Sequence, residues 1–349
     1  MKTDIFARNK LALQELCLAH KIPKFRASQI IDWLYAKQVV EFAEMKNLGR
    51  ETIQILQEQF TNSFLSIRCL KELTASSGNT SKVVLAFADG ETCESVCMRH
   101  NYGNSICVSS QIGCAVGCKF CASGLGGFKR NLTAGEMLAQ VMYFAKQLKA
   151  NGERVSHVVI MGSGEPLLNY ENVLEFIRLL HDPELFNISY RNITLSTSGI
   201  IPGIKRLQTE SLPINLAISL HASEQEKRTT IMPINASYCL HEVVECAGRY
   251  AQNTKRQVTY EYIMLAAVND SLEDAAKLVS LLRGQLACVN LIPANNVQEY
   301  GLQKSPLTQV KAFQEYLQKN NIPVTIRKEM GADINAACGQ LRNKIEELE

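Results

Sequence analysis

From residue 155 to 328 the chain alternates short apolar runs with amphipathic stretches of helical period, and this alternation restricts the possible folds more than any other feature. The apolar runs are VSHVVIMGSG (155–164), NITLSTSG (192–199), INLAISLHA (214–222), VTYEYIML (258–265), CVNLIP (288–293) and PVTIRK (323–328). Between most of them lie NYENVLEFIRLL (169–180), HEVVECAGRYAQ (241–252), SLEDAAKLVSLLRG (271–284) and SPLTQVKAFQEYLQ (305–318), whose apolar residues recur three and four apart. Strands that alternate with helices pair in parallel, because each helix carries the chain back across a face of the sheet. About six such units predict an α/β fold built on a barrel or partial barrel.

The chain upstream is patterned differently. Residues 1–80 read as a helical domain through NKLALQELCLAH, RASQIIDWLYAKQ and ETIQILQEQF; residues 81–104 read as a strand-rich connector through KVVLAFADG and ETCESVCMRH; the barrel occupies 105–349. Thr133 and Glu136 form a capping-box signature that opens a helix at TAGEMLAQVMYFAKQLKA. A length of 349 residues suits about two domains. The net charge of +3 permits a nucleic-acid partner without arguing for one. Lys24, Arg26, Lys37 and Lys46 suit either a solvated helical face or an RNA-docking surface, and charge alone favours the former. No apolar run approaches the ~18 residues that span a bilayer, and the charged N-terminus has no export signal, so the expected compartment is a reducing cytosol. There, twelve cysteines serve as metal ligands, redox groups or core residues rather than as a disulfide scaffold.

Ligands of parallel α/β folds gather at the carboxyl edge of the strands. On that edge fall GSGEP (162–166), STSG (196–199), SLHA (219–222), PANN (293–296) and the loop GCAVGCKFCASG (113–124). The loop sets Cys114, Cys118 and Cys121 at C-x3-C-x2-C spacing. Structural zinc prefers four closed ligands, and no second C-x2-C exists to supply them; a three-ligand catalytic zinc and three buried apolar cysteines are the other readings. A [4Fe–4S] cluster held by three thiolates keeps one iron open for a substrate or cofactor.

With Phe120 before its last cysteine, this loop resembles the signature of the radical S-adenosylmethionine (SAM) superfamily. The ordered set CVSSQIGC (107–114), GFKRNLTAGE (127–136), MGSGEPLLN (161–169), SLHA, MPIN (232–235), NLIPANN (290–296) and ACGQL (337–341), with EMKNL (44–48) upstream, resembles the RlmN/Cfr family of RNA methyltransferases over nearly the whole chain. The resemblance implies a partial (β/α)6 radical SAM barrel, a [4Fe–4S] cluster on Cys114, Cys118 and Cys121, and SAM contacts from Gly164, Glu165, Ser196, Ser219, Leu220, His221 and Asn295. It implies Cys338 as methyl carrier, Cys107 as the thiol that resolves a protein–RNA adduct by disulfide formation, and Glu94 as general base. The implied reaction is methylation of carbon 2 of adenosine in 23S rRNA and in tRNA beside the anticodon, with the carbon 8 activity that protects ribosomes from antibiotics as the alternative. An electron donor such as flavodoxin or ferredoxin, a monomeric state and an RNA-docking role for residues 1–80 complete what the resemblance implies. Taken alone, Cys338 and Cys107 read as small apolar residues and Glu94 as an exposed strand glutamate. Two departures stand out: the family commonly carries Met at position 163, here Ser163, and Trp-Asn-Pro where Ala294, Asn295 and Asn296 stand.

Overall fold

The computed structural model describes residues 3–39, 41–61, 67–295 and 300–341. The N-terminal unit is formed by helices α1 (Lys10–Ala19), α2 (Arg26–Ile31) and α3 (Arg50–Gln59), with strand β1 (Thr3–Asp4) paired in parallel to β2 (Phe60–Thr61). Asn9 caps α1 by accepting from the Ala12 amide at 3.0 Å. Phe6 and Tyr35 meet edge to face, Tyr35 meets Phe186 likewise, and the apolar residues of this unit join one continuous core with the barrel.

Strands β3 (Arg68–Thr74), β4 (Thr80–Ala86), β5 (Thr92–His100) and β6 (Gly103–Cys107) follow as an antiparallel meander. β3 falls in the stretch that sequence pattern reads as helical: the alternation in RCLKELT is a strand period. A small ribbon, β7 (Gln111–Gly113) with β8 (Phe128–Asn131), brackets the three-cysteine loop. Then come α4 (Ala134–Ala150), β9 (Val155–Ile160), α5 (Tyr170–His181), β10 (Ile193–Thr197), α6 (Ile201–Leu207), β11 (Asn215–Ser219), α7 (Gln225–Ile231), α8 (Leu240–Thr254), β12 (Val258–Met264), α9 (Leu272–Leu282), β13 (Ala287–Pro293), α10 (Leu307–Lys319) and β14 (Val324–Ile326). The capping box on α4 is formed, with Thr133 and Glu136 each bonding the other's backbone amide.

All the strands except β1, β2, β7 and β8 make a ten-stranded sheet in the order β14-β13-β12-β11-β10-β9-β6-β5-β4-β3. From β6 to β14 the pairing is parallel, as the alternation predicts. Ser105, Val159, Thr194, Asn215, Thr259 and Asn290, one from each of β6 and β9 to β13, line a single cavity, so the parallel part is curled around a lumen. β14 pairs with β13 but not with β6 in this order, so the barrel is partial and open on one side. The carboxyl ends of the strands form one rim, and the rim is where the site lies.

Candidate functional site

The cysteine loop is positioned by glycine at two places. Gly113 has φ +73°, and a Cβ there would stand 1.7 Å from the Gly127 carbonyl oxygen, so the loop closes only with glycine. Gly164 has φ +104°, and its Cβ would stand 2.6 Å from that of Gln111. Beside it the Ser163 carbonyl accepts from the Ser110 and Gln111 amides at 2.8 and 3.1 Å. The turn is therefore held by main chain, and Ser in place of the family's usual Met leaves these bonds intact.

Cys114, Cys118, Phe120, Cys121, Gly164, Glu165, Ser196, Ser198, Ser219, His221 and Cys338 line one cavity of about 150 Å³. Burial pushes the three thiols of the loop up, that of Cys114 to about 12, and Cys114 and Cys118 are raised further by neighbouring thiols of the same loop. Among the described residues no three His, Cys, Asp or Glu side chains converge on one ion-sized point. Cys114, Cys118 and Cys121 face one cavity, and soft thiolates are the ligands an iron–sulfur cluster takes. Among the described residues the Ser198 hydroxyl, buried at this wall beside Glu165, makes no well-formed hydrogen bond, and a bound polar cofactor would satisfy it.

Glu165 is buried and accepts from the Thr197 hydroxyl (2.7 Å), the Ser198 amide (2.7 Å) and the Leu167 amide (3.1 Å), while burial raises its carboxyl above the ordinary range. Three accepted bonds leave a carboxylate with lone-pair capacity towards an ammonium. His221 sits in left-handed backbone (φ +61°), its Nδ1 accepting from the Ile263 amide at 3.0 Å and its ring edge-on to Phe120 at 4.6 Å. Burial and then Arg228 hold its pKa down to about 3, so the ring is neutral with its Nε2 hydrogen available. Leu220 does not line the cavity: its side chain is in the core and its carbonyl accepts from Arg228 at 3.1 Å. Ser196 and Ser219 hydroxyls stand 3.4 Å apart on adjoining strand ends.

One pH dependence follows. The unfolded chain binds a proton on His221 below its ordinary 6.5, and the folded chain does so only near 3. Stability is therefore full above the unfolded value and falls as pH drops through this window, by ~2 kcal/mol at about pH 5. Denaturant unfolding of His221→Gln against the parent at a series of pH values should show the slope reduced by about one proton; parallel curves would refute it.

Cys338 is held on a loop docked from three sides. Ala122 donates to the Gly339 carbonyl (2.7 Å) and Ser123 to the Leu341 carbonyl (3.0 Å), both from the cysteine loop. Asn295 Nδ2 donates to the Cys338 carbonyl at 2.9 Å, and its buried Oδ1 has no partner among the described residues, outside which Asn296 lies. From the third side, Lys82 Nζ donates to the Asn335 carbonyl at 3.1 Å and pairs with Glu94 at 2.8 Å. Glu94 thus reaches the site through Lys82 and lines neither cavity; both side chains are under a tenth exposed, so Glu94 is a buried ion-pair partner rather than the exposed strand residue its sequence suggests. Cys107, at the carboxyl end of β6, packs with Val96, Ala336 and Leu341, and burial, with Cys338 beside it, pushes its thiol up to about 12. Cys93 and Cys97 belong to the main core.

Cys338 also lines a second, larger cavity of about 600 Å³ in the lumen, which Met161, Glu261, Ile292, Asn295 and Arg327 border as well. Sequence reading missed Glu261 and Arg327, which line both cavities and stand 3.8 Å apart. The available signal was a charge in the middle of the apolar run YEYIML, and an arginine at a strand's carboxyl end.

The sheet, its rim and this loop define a radical SAM protein. A family model described as the radical SAM superfamily matches residues 108–279, and one described as the ribosomal RNA large subunit methyltransferase N-terminal domain matches residues 3–61. The chain is 48% identical to a probable dual-specificity RNA methyltransferase RlmN of Geobacillus thermodenitrificans, covering 95% of this chain and 90% of the relative. It is 49% identical to one from Clostridium acetobutylicum, covering 93% of each, and 44% identical to one from Staphylococcus haemolyticus, covering 100% and 95%. A crystal structure of a radical SAM methyltransferase from Sphaerobacter thermophilus superposes with a TM-score of 0.94 at 38% identity, covering 98% of this chain and 100% of that one. The chain belongs to the RlmN family of radical SAM RNA methyltransferases.

Proposed function

We propose that this enzyme methylates carbon 2 of adenosine in 23S rRNA and in tRNA beside the anticodon, with Cys338 as methyl carrier. The observation that carries the reading is the place of Cys338, whose residue borders both the cavity of the cysteine loop and the lumen cavity. Cys114, Cys118 and Cys121 would hold a [4Fe–4S] cluster. Gly164, Glu165, Ser196, Ser198, Ser219 and His221 would hold SAM, with Asn295 at its edge and Leu220 contributing only through the strand end. When bound, these cofactors supply a carbon radical strong enough to take hydrogen from a methyl group, which an electron-poor ring carbon requires.

The chain's own groups do the rest. The Cys338 thiolate takes a methyl from a first SAM, forming S–CH3 as the sulfonium–methyl bond breaks. After one hydrogen leaves that methyl, its carbon bonds to the adenine. Loss of the ring proton, with one electron passing back to the iron–sulfur centre, would leave the base joined to Cys338; Glu94, which meets the Cys338 loop through Lys82, is proposed to take up the proton by way of that lysine. The Cys107 thiolate then attacks the Cys338 sulfur: the S–S bond forms, the carbon–sulfur bond breaks, and the freed carbon takes a proton to become the product methyl. A thiol reductant must return the disulfide to two thiols before the next turnover.

In the same reading the enzyme works in the cytoplasm as a monomer and draws its electron from a flavodoxin or ferredoxin. Among the described residues no helix is long and apolar enough to cross a membrane. Residues 1–80 are proposed to dock RNA. Lys24 and Lys46 are exposed there, and Phe25, 58% exposed, lies under Arg26 at 5.0 Å. Nucleoside mass spectrometry of 23S rRNA fragments and tRNA treated with enzyme, SAM and a reductant tests the product. The expected nucleoside is 2-methyladenosine, and 8-methyladenosine would overturn the position assigned.

A further inference from the structure

The lumen cavity opens at the side of the partial barrel, where the β5–β6 hairpin faces the end of β14. His100 and Tyr102 stand on the hairpin and Arg327 and Lys328 on the strand end, and all four line the cavity that Cys338 borders. The hairpin turn is fixed by Gly103, whose φ is +130° and whose Cβ would stand 2.2 Å from Ser156 Oγ. On this turn the Tyr102 ring lies flat on His100, with centroids 4.6 Å apart and planes at 8°, and is braced edge-on by His157 at 5.2 Å.

Tyr102 is nonetheless 67% exposed. Its ring is stacked on one side by His100 and otherwise presented to solvent. Burial keeps His100 and His157 below the ordinary imidazole range, and Arg327 and Lys328 act on His100 in the same direction, so the stack is uncharged near neutrality. Lys328 is exposed beside it. An uncharged aromatic stack next to cationic side chains, at the mouth of a cavity large enough for a nucleotide, is the arrangement that single-stranded nucleic acid recognises.

We propose that the Tyr102–His100 stack is a base-stacking platform for an unpaired nucleotide of the RNA substrate, with Lys328 facing its phosphate, and that it guides the neighbouring target adenosine along the lumen towards Cys338. This rests on the RNA methyltransferase reading above. Reaction on a ring carbon needs the base out of its helix, and a flanking nucleotide held at the mouth offsets part of that unstacking.

Binding of a tRNA anticodon stem-loop to the full chain, followed by fluorescence anisotropy at fixed salt, tests the platform. Loss of one stacked base in Tyr102→Ala should raise Kd about 5- to 100-fold, while Tyr102→Phe stays within about twofold of the parent. The salt slope should be unchanged, because no phosphate contact is removed. Methylation of Cys338 by SAM in the absence of RNA, and the thermal midpoint, should be alike in all three proteins. Tyr102→Ala binding as the parent does, or Tyr102→Phe losing as much as Tyr102→Ala, would overturn the platform. A parent protein that binds no RNA would instead overturn the RNA reading on which it rests.

Discussion

Cys338→Ala is expected to lower RNA methylation by roughly a thousandfold or more, and Cys107→Ala to stop it at a different stage. The first variant has no sulfur to accept a methyl, so no methylated protein and no protein–RNA species should form. The second can still take the methyl and join it to the base, but nothing breaks the carbon–sulfur bond. It should therefore accumulate a covalent protein–RNA species visible on a denaturing gel. The proposed division of labour rests on their positions: the residue of Cys338 borders both cavities, whereas Cys107 is buried at the strand end and packed against Ala336 and Leu341. The buried thiol of Cys107 resists ionisation, and Arg327 is the cation that opposes this. A Cys107→Ala protein that turns over normally, without a trapped species, would remove Cys107 from the chemistry.

The second large effect is on stability. Arg228 is fully buried, and its guanidinium donates to the Ser198 carbonyl (2.6 Å), the Ser219 carbonyl (3.2 Å), the Leu220 carbonyl (3.1 Å), Asn235 Oδ1 (2.6 Å) and the Tyr238 carbonyl (3.3 Å). Burial lowers its pKa to about 10, which leaves it charged at neutral pH. It ties together the ends of β10 and β11, the two strand ends that bring Ser196, Ser198, Ser219 and His221 to the cavity. Arg228→Leu removes the donor and leaves buried carbonyls unpaired, at a cost of about 3–5 kcal/mol. Arg228→Lys keeps the charge but not the planar fork and should restore only part. Thermal unfolding with SAM titration checks this: the leucine variant should unfold at a markedly lower temperature and bind SAM weakly. An unchanged midpoint would show that the strand ends hold themselves.

Much of this was legible in sequence, and for identifiable reasons. Parallel strands in a covered sheet are continuous apolar runs, so β9 to β14 stood out, and the capping box on α4 rests on two residues three apart. The three cysteines are local in sequence and needed no fold to be seen. What escaped notice is non-local. The pairing of β1 with β2 joins two-residue segments more than fifty residues apart, with no period to detect. Glu94 reads like any polar strand residue until β4 sets Lys82 against it. Glu261 and Arg327 become neighbours only when β12, β13 and β14 pair in register. Leu220 fell in a motif that does reach the rim, but its side chain turns into the core, while Ser219 at the strand end faces the cavity and left-handed backbone at His221 brings that ring to it as well.

The central claim, that the methyl group travels through Cys338 and loses a hydrogen on the way, can be read from isotope content. Protein reconstituted with iron and sulfide under anaerobic conditions, then given RNA, a reductant and SAM carrying a fully deuterated methyl, should first show the label on Cys338. The methyladenosine released should then carry two deuteriums and one hydrogen, the missing deuterium appearing in deoxyadenosine. A product that keeps all three deuteriums, or one that forms with no label ever found on Cys338, would contradict the account.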